Sequence, residues 1–337
     1  MIKAKYYEQD YQGKENTVRC TLCPRYCQIQ DGKIGFCNVR KNVVGKLYTL
    51  VYGKLTGLQI DPIEKKPLFH FLPGSKVLSF GTVGCNLRCK HCQNWHTSQT
   101  KPGEYPEEEV SPEQMIQLAK EHGCESIAAT YNEPTIFFEY CLDIFKLAKA
   151  AGIRTVMVSN GFTCLGPAKE LAPHLDGINV DLKGFTQQFY GTTTASFLKD
   201  VLASIEFWAK QKHVLLEVTN LVIPTLNDDL DKIEEMCLWL KEHAGADVPL
   251  HFSAFHPDYK LDHLPSTSAE LLDRAWKIAK DVGMRYVYVG NLRAGDKENT
   301  HCPECNALLI KRHGFLVVEN HLKEGCCSCG EMIAGVW

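Results

Sequence analysis

Three cysteines, Cys85, Cys89 and Cys92, stand at C-x3-C-x2-C within Gly84-Cys85-Asn86-Leu87-Arg88-Cys89-Lys90-His91-Cys92-Gln93-Asn94, and no fourth cysteine is nearby. The number of thiols decides the chemistry. A structural zinc is closed by four ligands, and a [4Fe–4S] cluster that only transfers electrons is usually held by four thiolates. Three thiolates on such a cube leave one iron open. An open iron can take the amino and carboxylate groups of S-adenosylmethionine (SAM), so that one electron breaks the sulfonium C–S bond and releases a 5′-deoxyadenosyl radical.

Two further cysteine sets flank the triad. Cys20, Cys23, Cys27 and Cys37 are spaced C-x2-C-x3-C-x9-C on a stretch bearing Gly32 and Gly35. They make a four-thiolate site for zinc or for an auxiliary iron–sulfur cluster, and thiolate ligation alone does not choose between these. Near the other end, Cys302-Pro303-Glu304-Cys305 and Cys326-Cys327-Ser328-Cys329 supply two C-x2-C knuckles of a zinc ribbon. Cys302, Cys305, Cys326 and Cys329 are the expected ligands, and Cys327 is the spare. Four thiolates leave zinc no catalytic position, so the ribbon is expected to stabilise the chain end or dock a partner. Cys124, Cys141, Cys164 and Cys237 stand alone and are expected to be buried or half-buried apolar residues.

Sixteen cysteines in 337 residues would suggest disulfides in a short secreted chain. Here most fall in metal-ligand spacings, and the first residues lack the apolar core and cleavage site of a signal peptide. Reduced thiols and a cytoplasmic location are expected. No apolar run approaches membrane-spanning length. A net charge of -3 with 23% charged residues gives no basic surface, so composition does not support nucleic-acid binding.

The elements that must position these cysteines alternate between strand-like and helix-like patterns from 77 to 291. Strands are expected at 77–80, 126–131, 154–159, 177–182, 213–223, 249–255 and 285–289. Ser111-Pro112-Glu113-Gln114 reads as a capping box with Gly123 as the stop, and Thr267 with Glu270 repeats the device before Gly283. The span 77–291 is shorter than the ~250 residues of a full eight-fold barrel. An open α/β architecture, a partial (β/α)6 TIM-like barrel, is therefore expected. The cysteine-rich residues 1–76 would precede it and the ribbon-like residues 292–337 would follow. The segment 61–71, with Pro62 and Pro67, is expected to be extended.

In such a barrel, polar residues just past the strands collect at one mouth. Thr130-Tyr131-Asn132-Glu133-Pro134, Ser159-Asn160-Gly161, Asp181-Leu182-Lys183, Glu217-Val218-Thr219-Asn220 and Phe255-His256-Pro257 occupy five successive strand ends. Singly, each is an ordinary cap or turn residue. Together they make candidate cofactor contacts of Asn132, Glu133, Ser159, Asn160, Asp181, Lys183 and His256.

The triad and its context resemble the radical-SAM superfamily. Asn132-Glu133-Pro134 is similar to the Gly-Gly-Glu-Pro motif whose segment holds the SAM amino group. Asp181 and Lys183 resemble the Asp-x-Lys pair of the pyruvate formate-lyase activating enzymes, which implies contacts to the SAM ribose and carboxylate. His256 stands where that group has a sixth-strand histidine, beside the adenosine. The likeness has a gap: those enzymes carry an arginine five residues before the fifth-strand proline, and this chain has Thr219. A closer likeness takes in Cys-x2-Cys-Pro-Arg-x-Cys at 20–27, Asp61 to His70, Cys89 to Asn94, Glu217 to Pro224 and the cysteine-rich tail. It is to the radical-SAM enzyme of the AmmeMemoRadiSam system. These resemblances imply reductive SAM cleavage and hydrogen abstraction from an unidentified substrate, or alternatively activation of a glycyl-radical enzyme. They also imply an external electron donor such as flavodoxin or ferredoxin, and a protein as substrate or partner. A non-catalytic zinc-ribbon protein would leave the triad and the strand ends unexplained.

Overall fold

The computed structural model describes residues 1–337. Seven parallel strands lie side by side in chain order: β1 (Lys76–Gly81), β2 (Ser126–Ala129), β3 (Arg154–Ser159), β4 (Gly177–Asp181), β5 (Leu215–Val222), β6 (Leu250–Ala254) and β7 (Val287–Gly290). An edge strand, Gly57–Pro62, runs antiparallel along β1. Between successive parallel strands lie α1 (Pro112–Glu121), α2 (Phe138–Ala150), α3 (Leu165–Leu171), α4 (Leu198–Ala209), α5 (Leu230–His243) and α6 (Ala269–Val282). Six β/α units and a seventh strand therefore form the barrel, and its two edges do not pair, so it stays open. That is the expected architecture, with the edge strand as an addition. No helix is long and apolar enough to cross a membrane.

Local chemistry fixes the helix starts. Ser111 Oγ accepts from Gln114 N at 3.3 Å while Gln114 Oε1 accepts from Ser111 N at 2.7 Å, closing the expected capping box. The second box is one residue out. Ser268, not Thr267, caps α6 by accepting from Leu271 N at 3.2 Å. The Thr267 hydroxyl is buried instead, donating to the Val222 carbonyl at 2.6 Å and accepting from Phe255 N at 2.8 Å. It ties the end of β5 to the end of β6. Gly283 then ends α6 at φ +98°, a left-handed position that favours glycine.

The barrel interior is filled near the N-terminal ends of the strands by the segment 61–71. On one side Ile63, Leu68 and Phe71 pack with Val77, Ala128 and Val156. Gly177 has no side chain because a Cβ there would come within 2.9 Å of the Phe71 ring. On the other side the filling is polar. Glu217 accepts from the backbone of Phe69 at 3.1 Å and of His70 at 2.8 Å, and lies 2.6 Å from His251 Nε2. The His70 ring spans from Tyr288 Oη to the Ala334 carbonyl, 2.6 Å at each nitrogen.

The C-terminal tail closes this floor. Arg312, on the strand Leu308–His313, donates to the Phe69 carbonyl at 2.7 Å and lies 3.5 Å from Glu64 Oε1, both side chains fully buried. Val336 pairs by backbone with His70 and Leu72, 2.7 Å each. A buried ion pair costs desolvation, so its partners are worth more together than either alone.

Burial holds the His70 imidazole down at about 4. Between that value and the ordinary value of ~6.5, the unfolded chain takes up a proton that the native chain refuses, so stability rises with pH there. Above the window the contribution is complete. The unfolding free energy of the native chain minus that of a His70→Gln variant should therefore rise by ~1.4 kcal/mol per pH unit from about pH 4.5 to 6, and level off near neutrality. Denaturant titrations at each pH measure it, and parallel profiles for the two proteins would contradict it.

Candidate functional site

β1 delivers the chain directly into the cysteine loop. Gly84 sits at φ +85°, and a Cβ there would come 2.4 Å from the Cys37 carbonyl oxygen, so the position admits only glycine. Cys85 and Cys89 are buried and Cys92 is half-buried. Leu87 N donates to Cys85 Sγ at 3.4 Å, and Ser98 Oγ lies 3.2 Å from Cys92 Sγ. Within the loop, Arg88 N and Lys90 N donate to the carbonyls of Thr194 and Thr193, 2.9 Å each. Burial pushes both buried thiols up, Cys89 to about 12. A metal that binds them must displace their protons.

Four of the residues expected to touch a cofactor, Asn132, Glu133, Ser159 and Asn160, make hydrogen bonds among themselves or to this loop. Asn132 donates to the Gly84 carbonyl at 2.8 Å and to Thr82 Oγ1 at 3.1 Å, while its Oδ1 accepts from Thr82 N at 3.2 Å. Asn160 donates to Asn86 Oδ1 at 2.9 Å, and Asn86 donates to the Phe162 carbonyl at 2.8 Å. Glu133 accepts from Thr135 N (3.0 Å), Thr135 Oγ1 (2.6 Å), Ser159 Oγ (2.9 Å) and Asn160 N (2.7 Å). Its side chain is occupied on both oxygens. Burial still keeps the carboxyl above its ordinary value.

Asp181 ends β4 and pairs with Lys183 at 3.1 Å; their side chains are 34% and 16% exposed. Burial opposes the charge on Lys183, but Asp181 and then the Cys89 sulfur outweigh it and raise the ammonium above its ordinary value. The pair thus stands within electrostatic reach of the triad. Thr219 is directly opposite Asp181 in the β4–β5 register, buried, and its hydroxyl has no partner. His256 is not drawn in: it is exposed on the rim, with Nε2 2.9 Å from the Asn291 carbonyl. Asn86 and Thr219 were not singled out as site residues by the sequence. Asn86 could have been, since it lies inside the C-x3-C spacing. Buried His91, between Cys89 and Cys92, was also missed; neither of its ring nitrogens has a partner.

In the tail the sulfur that gathers with those of Cys302, Cys305 and Cys329 is that of Cys327, not Cys326. The sulfurs of Cys302, Cys305, Cys327 and Cys329 all lie within 4.8 Å of one another. Cys302 to Cys329 is 3.6 Å and Cys305 to Cys327 is 3.7 Å. A tetrahedron with ~2.3 Å zinc–sulfur bonds has edges of about 3.8 Å, so these four fit one ion. Cys326 pairs by backbone with Lys323 and Met332, and its thiol turns to the Cys327 carbonyl at 3.3 Å. Neighbouring residues on extended chain point to opposite sides, so only one of the two can face the ion. The N-terminal quartet, Cys20, Cys23, Cys27 and Cys37, lines a single hollow against the triad loop.

The family model of the radical SAM superfamily matches residues 80–240, which contain the triad and the ends of β1 to β5. An uncharacterized protein of Methanocaldococcus jannaschii is 42% identical over 99% of both chains. The chain belongs to the radical SAM superfamily. The pyruvate formate-lyase-activating enzyme of Clostridium pasteurianum is 23% identical over 62% of this chain and 92% of its own length. Among solved structures, SuiB of Streptococcus suis bound to S-adenosylmethionine superimposes with a TM-score of 0.52 at 11% identity, covering 69% of this chain and 53% of that one. That likeness is one of fold. A radical SAM fold implies a [4Fe–4S] cluster and SAM, and the tail tetrad could hold a metal ion.

The two adjacent tail cysteines separate by experiment. Cys327→Ser should abolish tight metal binding at the tail, and Cys326→Ser should leave it intact. Metal content per chain after dialysis against a chelator reads the difference, and retention by Cys327→Ser with loss by Cys326→Ser would reverse the assignment.

Proposed function

We propose that the chain reductively cleaves SAM at a [4Fe–4S] cluster held by Cys85, Cys89 and Cys92. The cysteine loop carries this assignment: three thiols and no fourth, held at the strand ends by a network whose polar atoms are engaged with the protein itself. When bound, the cluster supplies one electron to the sulfonium, giving methionine and a 5′-deoxyadenosyl radical that takes a hydrogen atom from the substrate. Asn132, Glu133, Ser159 and Asn160 are then positioning residues. Asp181, Lys183 and the unpartnered Thr219 hydroxyl are the groups left to meet the polar ends of SAM. Because an unsatisfied buried polar group costs ~1–3 kcal/mol, a partner for Thr219 is worth gaining. His256 at the rim would meet SAM only at its outer edge.

On this reading residues 77–291 are the catalytic barrel, residues 1–76 cover its loop and residues 292–337 cover its floor with a zinc. The electron comes from a flavodoxin- or ferredoxin-class donor, in the cytoplasm. Similarity to pyruvate formate-lyase activating enzymes favours a second, narrower reading, in which the hydrogen is taken from a backbone glycine of a protein substrate. The activating-enzyme match covers 62% of the chain, too little to span both cysteine-rich ends. Those ends support the likeness to the AmmeMemoRadiSam radical-SAM enzyme.

Alanine at Cys85, Cys89 or Cys92 should eliminate 5′-deoxyadenosine formation under reducing, anaerobic conditions; a variant that still released it would sink the ligand assignment. Asp181→Ala and Lys183→Ala should each raise the SAM dissociation constant about ten-fold or more, ~1.4 kcal/mol, with the cluster absorption unchanged. Equilibrium binding tests this, and unchanged affinity in both variants would leave them an ordinary strand-end ion pair worth ~0–1 kcal/mol.

A further inference from the structure

Two guanidiniums beside the triad make no ion pair with a carboxylate. Arg25 and Arg88 flank the Phe36 ring, with central carbons 3.6 and 4.0 Å from its centroid. Arg25 donates to the carbonyls of Asn86, at 2.9 and 3.1 Å, and of Ala195. Arg88 donates to those of Cys85 and Leu87, at 2.8 Å each, and of Phe36. Both are half-buried. Two like charges on one ring repel each other, and partial burial strengthens the repulsion. Their arrangement calls for negative charge on either side. One side has the triad; the other has Cys20, Cys23, Cys27 and Cys37.

A third guanidinium points to the same place. Arg40 is 1% exposed and holds Glu139 through Nη2 at 2.7 and 2.9 Å. Its Nε–H has no partner. Arg40 lines, together with the four cysteines and Asn86, one narrow hollow. A donor so buried is costly unless something in the hollow accepts from it.

The sulfur spacing selects the kind of occupant. The tail tetrad draws its four sulfurs within 4.8 Å of one another, as one tetrahedral ion requires, and the N-terminal four surround their hollow without gathering so closely. A cube of iron and sulfide spreads its terminal thiolates farther apart than a single zinc does.

We propose that Cys20, Cys23, Cys27 and Cys37 hold a second iron–sulfur cluster, with the Arg40 Nε–H donating to one of its sulfurs. Arg25 and Arg88 form a positive wedge between this cluster and the triad. Both centres are net negative when loaded, and the backbone of Cys37 touches Gly84 at the root of the triad loop. Without the wedge, two like-charged centres would meet across a single layer of backbone. The inference goes beyond SAM cleavage and does not depend on it.

The test is the full chain with Cys85, Cys89 and Cys92 all changed to alanine, reconstituted anaerobically with iron and sulfide. It should retain about four irons and about four sulfides per chain, the load of one four-thiolate cube, and give a paramagnetic signal on reduction by dithionite. Adding Cys20→Ala and Cys23→Ala should remove that iron while the tail metal stays, which also reports that the chain is folded. A folded triad-free chain that took up a second zinc, or no metal at the N-terminal set, would overturn the proposal. Should the triad-free chain fail to fold, Cys20→Ala with Cys23→Ala and an intact triad gives the same answer. Its iron should fall by half, and an unchanged iron content would overturn the proposal. SAM cleavage is read separately on the triad, so either assignment can fail alone.

Discussion

One buried carboxylate sets the geometry of the site. Glu133 is 1% exposed, and a charge so far from water is tolerable only when its oxygens are met by donors. Four donors meet it, two from Thr135 just past β2 and two from Ser159 and Asn160 at the end of β3. Removing it would strand all four in an apolar surround, which is why such groups cost more to lose than they gain in isolation. The consequence reaches the cysteine loop. Asn160, fixed by Glu133, holds Asn86 beside Cys85, and Asn132, one residue before Glu133, holds Gly84. The cysteine loop is therefore as rigid as the ends of β2 and β3 beneath it.

The floor of the barrel is built on a similar principle. Glu217 uses both oxygens on the backbone of Phe69 and His70, which locks an irregular segment inside a parallel sheet where its amide groups would otherwise lack partners. Arg312 adds a carbonyl contact from the tail, so the C-terminal residues complete the plug. The arrangement leaves the N-terminal ends of the strands closed and the C-terminal ends, with Asp181, Lys183 and Thr219, open to a ligand.

Much of this was legible in the sequence because it is local. The triad spacing is set by three thiolates converging within eight residues, and the strands are short apolar runs bounded by polar ends. Ser111 and Gln114 cap α1 through contacts three residues apart. What the sequence hid depends on distant partners. Thr267 and Ser268 are both competent caps, and the choice falls to Ser268 because the Val222 carbonyl, on another strand, claims Thr267. The C-x2-C spacing favours Cys326 over Cys327, and the bridges to Lys323 and Met332 reverse that order by fixing which side of the chain faces inward. The side-chain partners of Asn132 and Glu133, the cysteine loop and the end of β3, are likewise distant in sequence and leave no local signal. The pairing of Arg25 with Arg88 across Phe36 joins three segments and leaves no periodic trace.

In the proposed function, three thiolates leave one iron open at the head of β1. Mössbauer spectra of the chain loaded with ⁵⁷Fe, recorded without and with SAM, test it most directly. One iron at the triad should change its signal toward higher coordination when SAM is added, while the other irons keep theirs. A spectrum in which every iron is indifferent to SAM, in protein that carries its full complement of iron, would contradict it.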